Sequence, residues 1–175
     1  MAPPKKVGYR ADTRVWDRIY KSIARTEKRV KVGVLTDSQH TAADGECWEI
    51  LMLELAAIHE FGSPAAGIPE RSFMRATING KREQVNEAIE KLVGLEVRGL
   101  LSTPGGPSGQ QADAAAERAL GRLGAKLVAM IRATIRNRET VGPEDQANKP
   151  STIARKGSSL PLVDSAQLLQ AIDYA

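Results

Sequence analysis

Few residues in this chain could do chemistry, and they are scattered. The most suggestive pair is His59-Glu60. A histidine beside a carboxylate is a general acid–base combination. On a helix, however, neighbours at i and i+1 do not face one another, and no second carboxylate or nucleophile is placed to help. The metalloprotease pattern His-Glu-x-x-His is absent, because Phe61, Gly62 and Ser63 follow. Such a histidine suits the carbonyl end of a helix, or a bond to a loop carbonyl. The single cysteine, Cys47, excludes an intrachain disulfide. Beside Trp48, where a helix is expected to start, it reads as a small buried apolar residue rather than a nucleophile. His40 stands alone in a polar loop, without partners at metal-ligand spacing. The run Gly105-Gly106-Pro107-Ser108-Gly109 is no phosphate cradle: Gly-Lys-Ser/Thr does not follow, and proline removes an N–H such a loop would use. The expectation is therefore no enzyme, no cofactor and no metal.

The elements that would carry these residues are those of a single domain of 175 residues. Apolar residues make up 42% and aromatics only 4%, so the core should be aliphatic. Lys plus Arg exceed Asp plus Glu by 25 − 21 = 4. This permits contact with nucleic acid or an acidic surface without demanding it. Basic residues crowd the first thirty positions. No signal peptide and no membrane span is expected.

Residues 1–11 read as a flexible basic arm, ahead of one α+β domain over 12–175. Asp12 or Thr13 can cap a helix from Arg14 to about Arg25. Its apolar stripe of Val15, Trp16, Ile19, Tyr20 and Ile23 lies opposite Arg14, Arg18, Lys21 and Arg25. Val30–Thr36 alternates as a strand, and 37–45 reads as a polar loop. Glu46–Phe61 reads as a helix with Trp48, Leu51, Leu55 and Ile58 on one face, ended by Gly62 and Pro64. A helix from Asn79 to about Leu100, a mobile Gly/Pro loop at 101–111, and a long helix from Gln111 to about Arg138 follow. On the last helix Ala115, Ala119, Leu123, Leu127, Met130 and Ile131 mark an apolar stripe, joined by Leu120, Val128 and Ile135. Asp164 can cap a short helix over Ser165–Leu169, and Ala171–Ala175 should close the chain as a strand, antiparallel to Val30–Thr36.

The chain is organised around residues 56–78, AAIHEFGSPAAGIPERSFMRATI. Here a helix stops, a small-residue loop turns, and Arg71 and Arg75 bracket Phe73 and Met74. The string Ile-His-Glu-Phe-Gly, followed after the loop by Ile-Pro-Glu-Arg-Ser-Phe-Met-Arg, resembles phage virion-morphogenesis proteins of the head–tail joining, tail-completion and minor tail protein Z type. The segment Pro150-Ser151-Thr152-Ile153-Ala154-Arg155-Lys156-Gly157, then Pro161-Leu162-Val163-Asp164-Ser165-Ala166-Gln167-Leu168, resembles the same family's ending. Ser165-Ala166 stands where that family often has Thr-Gly. The resemblance covers roughly residues 30–175.

It implies an α+β fold in which a small antiparallel or mixed sheet is flanked by two long helices, with an extended arm over 139–161. The implied role is structural: a homo-oligomeric ring around the DNA channel, joining the head–tail connector to the tail or completing the tail top. A hexamer is expected first and a dodecamer second. Neighbours would be connector or adaptor, tail-terminator or tail-tube proteins; the location would be the virion, and the host cytoplasm during assembly. The residues expected at subunit contacts are His59, Glu60, Phe61, Pro69, Arg71, Phe73, Arg75, Arg155 and Lys156. Those expected to face channel DNA are Arg14, Arg18, Lys21, Arg25, Arg132 and Arg136. The alternative is a nucleic-acid-binding regulator using the basic Arg14–Lys28 helix, although helix-turn-helix spacing and an aromatic stacking set are both missing.

Overall fold

The structure, a computed structural model, describes residues 17, 20–21, 28–35, 39–41, 47–140, 150–157, 159, 162 and 166–175. The basic arm at 1–11, Arg14, Arg18, Arg25 and the expected cap Asp164 lie outside them.

The fold is α+β, with long helices and short antiparallel strand pairs. Strand β1 (Val32–Val34) pairs antiparallel with the closing strand β4 (Ile172–Tyr174), Val32 opposite Tyr174 and Val34 opposite Ile172. The ladder continues one residue further, where Lys31 and Ala175 exchange both backbone bonds at 2.8 and 3.0 Å. This is the antiparallel pairing expected between the closing strand and Val30–Thr36. A second antiparallel pair joins β2 (Gln39–Thr41) to β3 (Cys47–Leu51). It overturns two expectations: the polar loop at 37–45 contains a strand, and Cys47 opens a strand rather than a helix. The aromatic and β-branched run Cys47-Trp48-Glu49-Ile50-Leu51 favours extended backbone. Helix α1 (Met52–Phe61) begins only where Glu54 can accept the N–H of Leu51, at 3.3 Å. Its buried stripe is accordingly Met52, Ala56 and Glu60, not the Trp48–Ile58 series.

After a 3₁₀ turn (Pro64–Ala66) come helices α2 (Met74–Gly80) and α3 (Arg82–Leu101). One helix from Asn79 was expected. The chain instead enters helix five residues earlier and breaks at Lys81, whose φ of −115° leaves the helical basin. The Gly/Pro connection is compact. Ser102 and Thr103 satisfy the last carbonyls of α3, and Pro107 is buried. Ser108 then opens α4 (Gly109–Arg136) with a reciprocal capping box: its Oγ accepts from the Gln111 N–H at 3.2 Å, and its own N–H donates to Gln111 Oε1 at 2.8 Å.

The segment expected as an extended arm contains helix α5 (Pro150–Lys156), for which proline at the first helical position is well suited. Helix α6 (Gln167–Ala171) begins two residues later than the expected Ser165. Ala166, preceding it, takes φ 60°, the left-handed conformation that glycine adopts without strain.

The main core gathers Val34 from β1, Met52 and Ala56 from α1, Phe73 at the start of α2, Val128, Ile131 and Ile135 from α4, and Leu168, Leu169 and Ile172 from the chain's end. It is aliphatic as expected, with Phe73 its one aromatic among the described residues. Helix α4 is the axis of the fold, with α2, α3, β1 and β4 all resting on it. Its approach to β4 depends on Gly124, where a Cβ would fall 2.5 Å from the Tyr174 ring and 2.8 Å from Val30 Cγ2.

Candidate functional site

The corner at residues 56–78 is held by one carboxylate. Glu60, 5% exposed, ends the buried stripe of α1 and points at the start of α2. Its Oε1 accepts from Ser72 Oγ at 2.7 Å and from the Arg75 N–H at 3.0 Å. Its Oε2 accepts from the N–H groups of Phe73 and Met74, both at 2.9 Å. These N–H groups belong to the first turn of α2, which has no side-chain cap of its own. Glu60 is thus a cap supplied from across the turn, and its charge also suits the positive end of the helix. Burial pushes the Glu60 carboxyl upward, but the Ser72 and backbone bonds outweigh this and hold it below the usual carboxylate range.

Arg75 locks the arrangement from outside. Its Nε reaches Glu60 Oε1 at 3.2 Å, and its Nη2 reaches the Glu60 carbonyl at 2.6 Å and Glu70 Oε1 at 2.8 Å. Its guanidinium lies 5.1 Å from the centre of the Phe61 ring. Behind this, the Arg71 N–H donates to the His59 carbonyl at 2.8 Å, and Ser63 and Ile68 form a bridge closing the small loop. Gly62 makes the turn possible. Its φ is 74°, and a Cβ there would fall 2.8 Å from the Glu70 nitrogen and 3.1 Å from the Ile68 oxygen.

What the corner offers outward, beside the paired Arg75 and Glu70, is apolar and small. Phe61 is 66% exposed, Leu53 lies two turns before it on the same side of α1, and Pro64 to Gly67 stand out beyond it. Of the residues expected at contacts, Phe61 and Arg75 are exposed, while His59, Pro69 and Arg71 are half-buried. Burial also depresses the Arg71 guanidinium below its ordinary value. Glu60 and Phe73 correct the expectation: both are buried within this chain, so they shape the corner rather than meet a partner. Arg155 and Lys156 fall on α5, their side chains outside the described residues.

Among the expected DNA-facing residues, Lys21 and Arg136 are exposed. Arg132 is turned inward, its Nη2 donating to the Ile172 carbonyl at 2.9 Å with its Nε buried, so it ties α4 to the chain's end. Sequence reasoning missed Ser72 as a ligand of Glu60, because bonds spanning twelve to fifteen residues leave no periodic trace. It also missed Thr77 and Thr134, a buried hydroxyl pair 2.8 Å apart that joins α2 to α4.

Among the described residues, no group of three His, Cys, Asp or Glu side chains could hold a metal ion. No helix among them is long and apolar enough to cross a membrane. Comparison with protein families, with characterised proteins and with solved structures finds no match.

Proposed function

We propose that this chain is a structural subunit of a tailed-phage virion, working by shape and contact in a neck or tail ring rather than by catalysis. The observation that carries the reading is the economy of the corner. Its strongest acid–base candidate, Glu60, is occupied by bonds from Ser72, Phe73, Met74 and Arg75, whereas its exposed parts are an aromatic ring, a small-residue turn and the outer side of the ion-paired Arg75. A carboxylate so engaged serves as a brace, and a rigid bend ending in exposed apolar surface suits a docking element. The same carboxylate connects the two halves of the motif on which the phage resemblance rests.

The uneven covering of the helices supports the same view. Helix α3 is twenty residues long, yet Leu100 is its only buried residue, and Val93 and Leu95 are exposed. A closed ring can gather many modest contacts of this kind. The test is mass photometry of the purified chain, alone and with connector and tail-tube proteins, followed by negative-stain imaging. A discrete ring, six-fold first and twelve-fold second, is expected. A chain that stays monomeric in every mixture would overturn the reading. The alternative of a regulator rests on Arg14–Lys28, most of which lies outside the described residues.

A further inference from the structure

From Arg118 to Arg138 the chain carries Arg118, Arg122, Lys126, Arg132, Arg136 and Arg138, and not one Asp or Glu. Helical spacing gathers the first five on one face of α4. From Arg118 to Arg136 this face runs about 27 Å. Arg118, Arg122, Lys126 and Arg136 are exposed. Between them stand Gly121, Ala125 and Ala129, so nothing bulky rises between the charges.

The nearby carboxylates do not cancel this charge. Glu96 of α3 is shared between Arg118 and Arg122, at 2.8 and 2.7 Å, leaving one positive charge over. Glu117 is paired with Lys28, Glu139 with Lys81 and Asn137, and Asp173 accepts the N–H of Tyr174. Among the described residues, Lys126 and Arg136 make no ion pair. A helix face that is merely solvated mixes signs, as α3 does with Glu83, Glu87, Glu90 and Lys91. The two arms of one hairpin therefore differ in kind.

We propose that the Arg118–Arg136 face of α4 binds the phosphate backbone of duplex nucleic acid without reading its sequence. The ligand must be a long, rigid polyanion, because the cations are spread along a straight helix rather than gathered in a pocket. The face has no aromatic to stack an unpaired base and no Asn or Gln to read a base edge. The assignment extends the ring reading, in which this face would line the channel, but its test needs no ring.

The test is fluorescence anisotropy of the full chain with two short labelled duplexes of unrelated sequence. Both should bind equally, weakening linearly with the logarithm of salt, at a slope of about −0.9 per phosphate contacted. The triple variant Arg122→Gln/Lys126→Gln/Arg136→Gln should keep its circular dichroism and melting temperature. It should lose about 2 to 3 units of slope, and at least about tenfold in affinity at low salt. Lys91→Gln, which removes one exposed charge from α3, should bind like the parent chain. Three outcomes overturn the proposal: no duplex binding by the parent chain, a triple variant that binds unchanged, or polyglutamate competing as well as duplex, which would indicate an acidic protein surface instead.

Discussion

Glu60 stabilises the corner by accepting N–H and O–H groups that would otherwise be stranded in the interior. Glu60→Gln keeps the shape but leaves one acceptor oxygen, and turns an NH2 group toward other donors. It should cost about 2–3 kcal/mol in chemical denaturation. The pH dependence follows from the downward shift of this carboxyl. Stability from a depressed carboxylate is fully present above its unfolded value, roughly 4.3, and is lost as pH falls through the lower folded value. The parent chain should therefore lose stability progressively below about pH 4, and Glu60→Gln should flatten that loss in parallel melts. Gly62 sets a second condition, steric rather than electrostatic. Gly62 and Gly67 both have positive φ, at 74° and 63°, but a Cβ at Gly67 meets nothing within 4 Å. Gly67→Ala should then cost only the left-handed backbone penalty, about 1 kcal/mol. Gly62→Ala adds a clash with the Glu70 nitrogen and should cost about 3 kcal/mol or more. Equal melting temperatures for the two variants would mean that the Glu70 backbone yields to a methyl group.

Between elements, the decisive approach is that of α4 to the chain's end. Gly124 lets the Tyr174 ring of β4 lie against the helix, and four residues past Val128 the Arg132 guanidinium holds the Ile172 carbonyl. On an exposed helix, Gly→Ala would gain about 1 kcal/mol from propensity. Here the methyl group would overlap the ring and Val30, so Gly124→Ala should instead destabilise by about 1–3 kcal/mol. Hydrogen exchange should show faster exchange of the Lys31 and Ala175 amides, which bond across the β1–β4 ladder. Slower exchange there would show that the strand accommodates the methyl group. These elements also show what the sequence could reveal. The valines of β1 and most of the apolar stripe of α4 announced themselves, because each pattern repeats within one element, although Leu123 and Leu127 of that stripe are only half-buried. Gly124 and Thr134 stayed hidden because their partners, Tyr174 and Thr77, are about fifty residues away. The β2–β3 pair was misread because its strands are only three and five residues long, too short for alternation to outweigh the helical pattern that begins at Met52. The corner was recognised as a bend through Gly62 and Pro64, but its carboxylate brace was not, since a cap supplied from another helix has no local signature.

At the scale of the molecule, apolar surface is left where the fold does not need it. Scattered exposed hydrophobes are ordinary in a soluble domain. Here Leu53 and Phe61 are exposed on the corner, and Ile89, Val93 and Leu95 along α3. The hairpin of α3 and α4 is covered thinly as well, its small core of Leu100, Ala112 and Ala115 bordering an apolar cavity of about 200 Å³. In the proposed ring, a head-to-tail contact would need two different surfaces on each subunit, and the corner and the hairpin are the two candidates. Phe61→Asp isolates the first of them. The new carboxylate would sit where the ring now lies 5.1 Å from the Arg75 guanidinium, which Glu60 and Glu70 continue to hold, so the bend should stay braced. Arg75→Glu could not serve the same purpose, because it would crowd a third carboxylate against Glu60 and Glu70 and loosen α2 itself. Phe61→Asp should therefore melt within about 0.5 kcal/mol of the parent chain, as surface changes generally do. If the chain forms the proposed ring through this corner, the ring peak in mass photometry should give way to single chains and short open oligomers, since loss of an aromatic anchor at an interface centre commonly costs about 2 kcal/mol or more per contact. A ring peak that survives with its mass unchanged would take the corner out of the assembly interface and leave the α3 face as the surface to probe next.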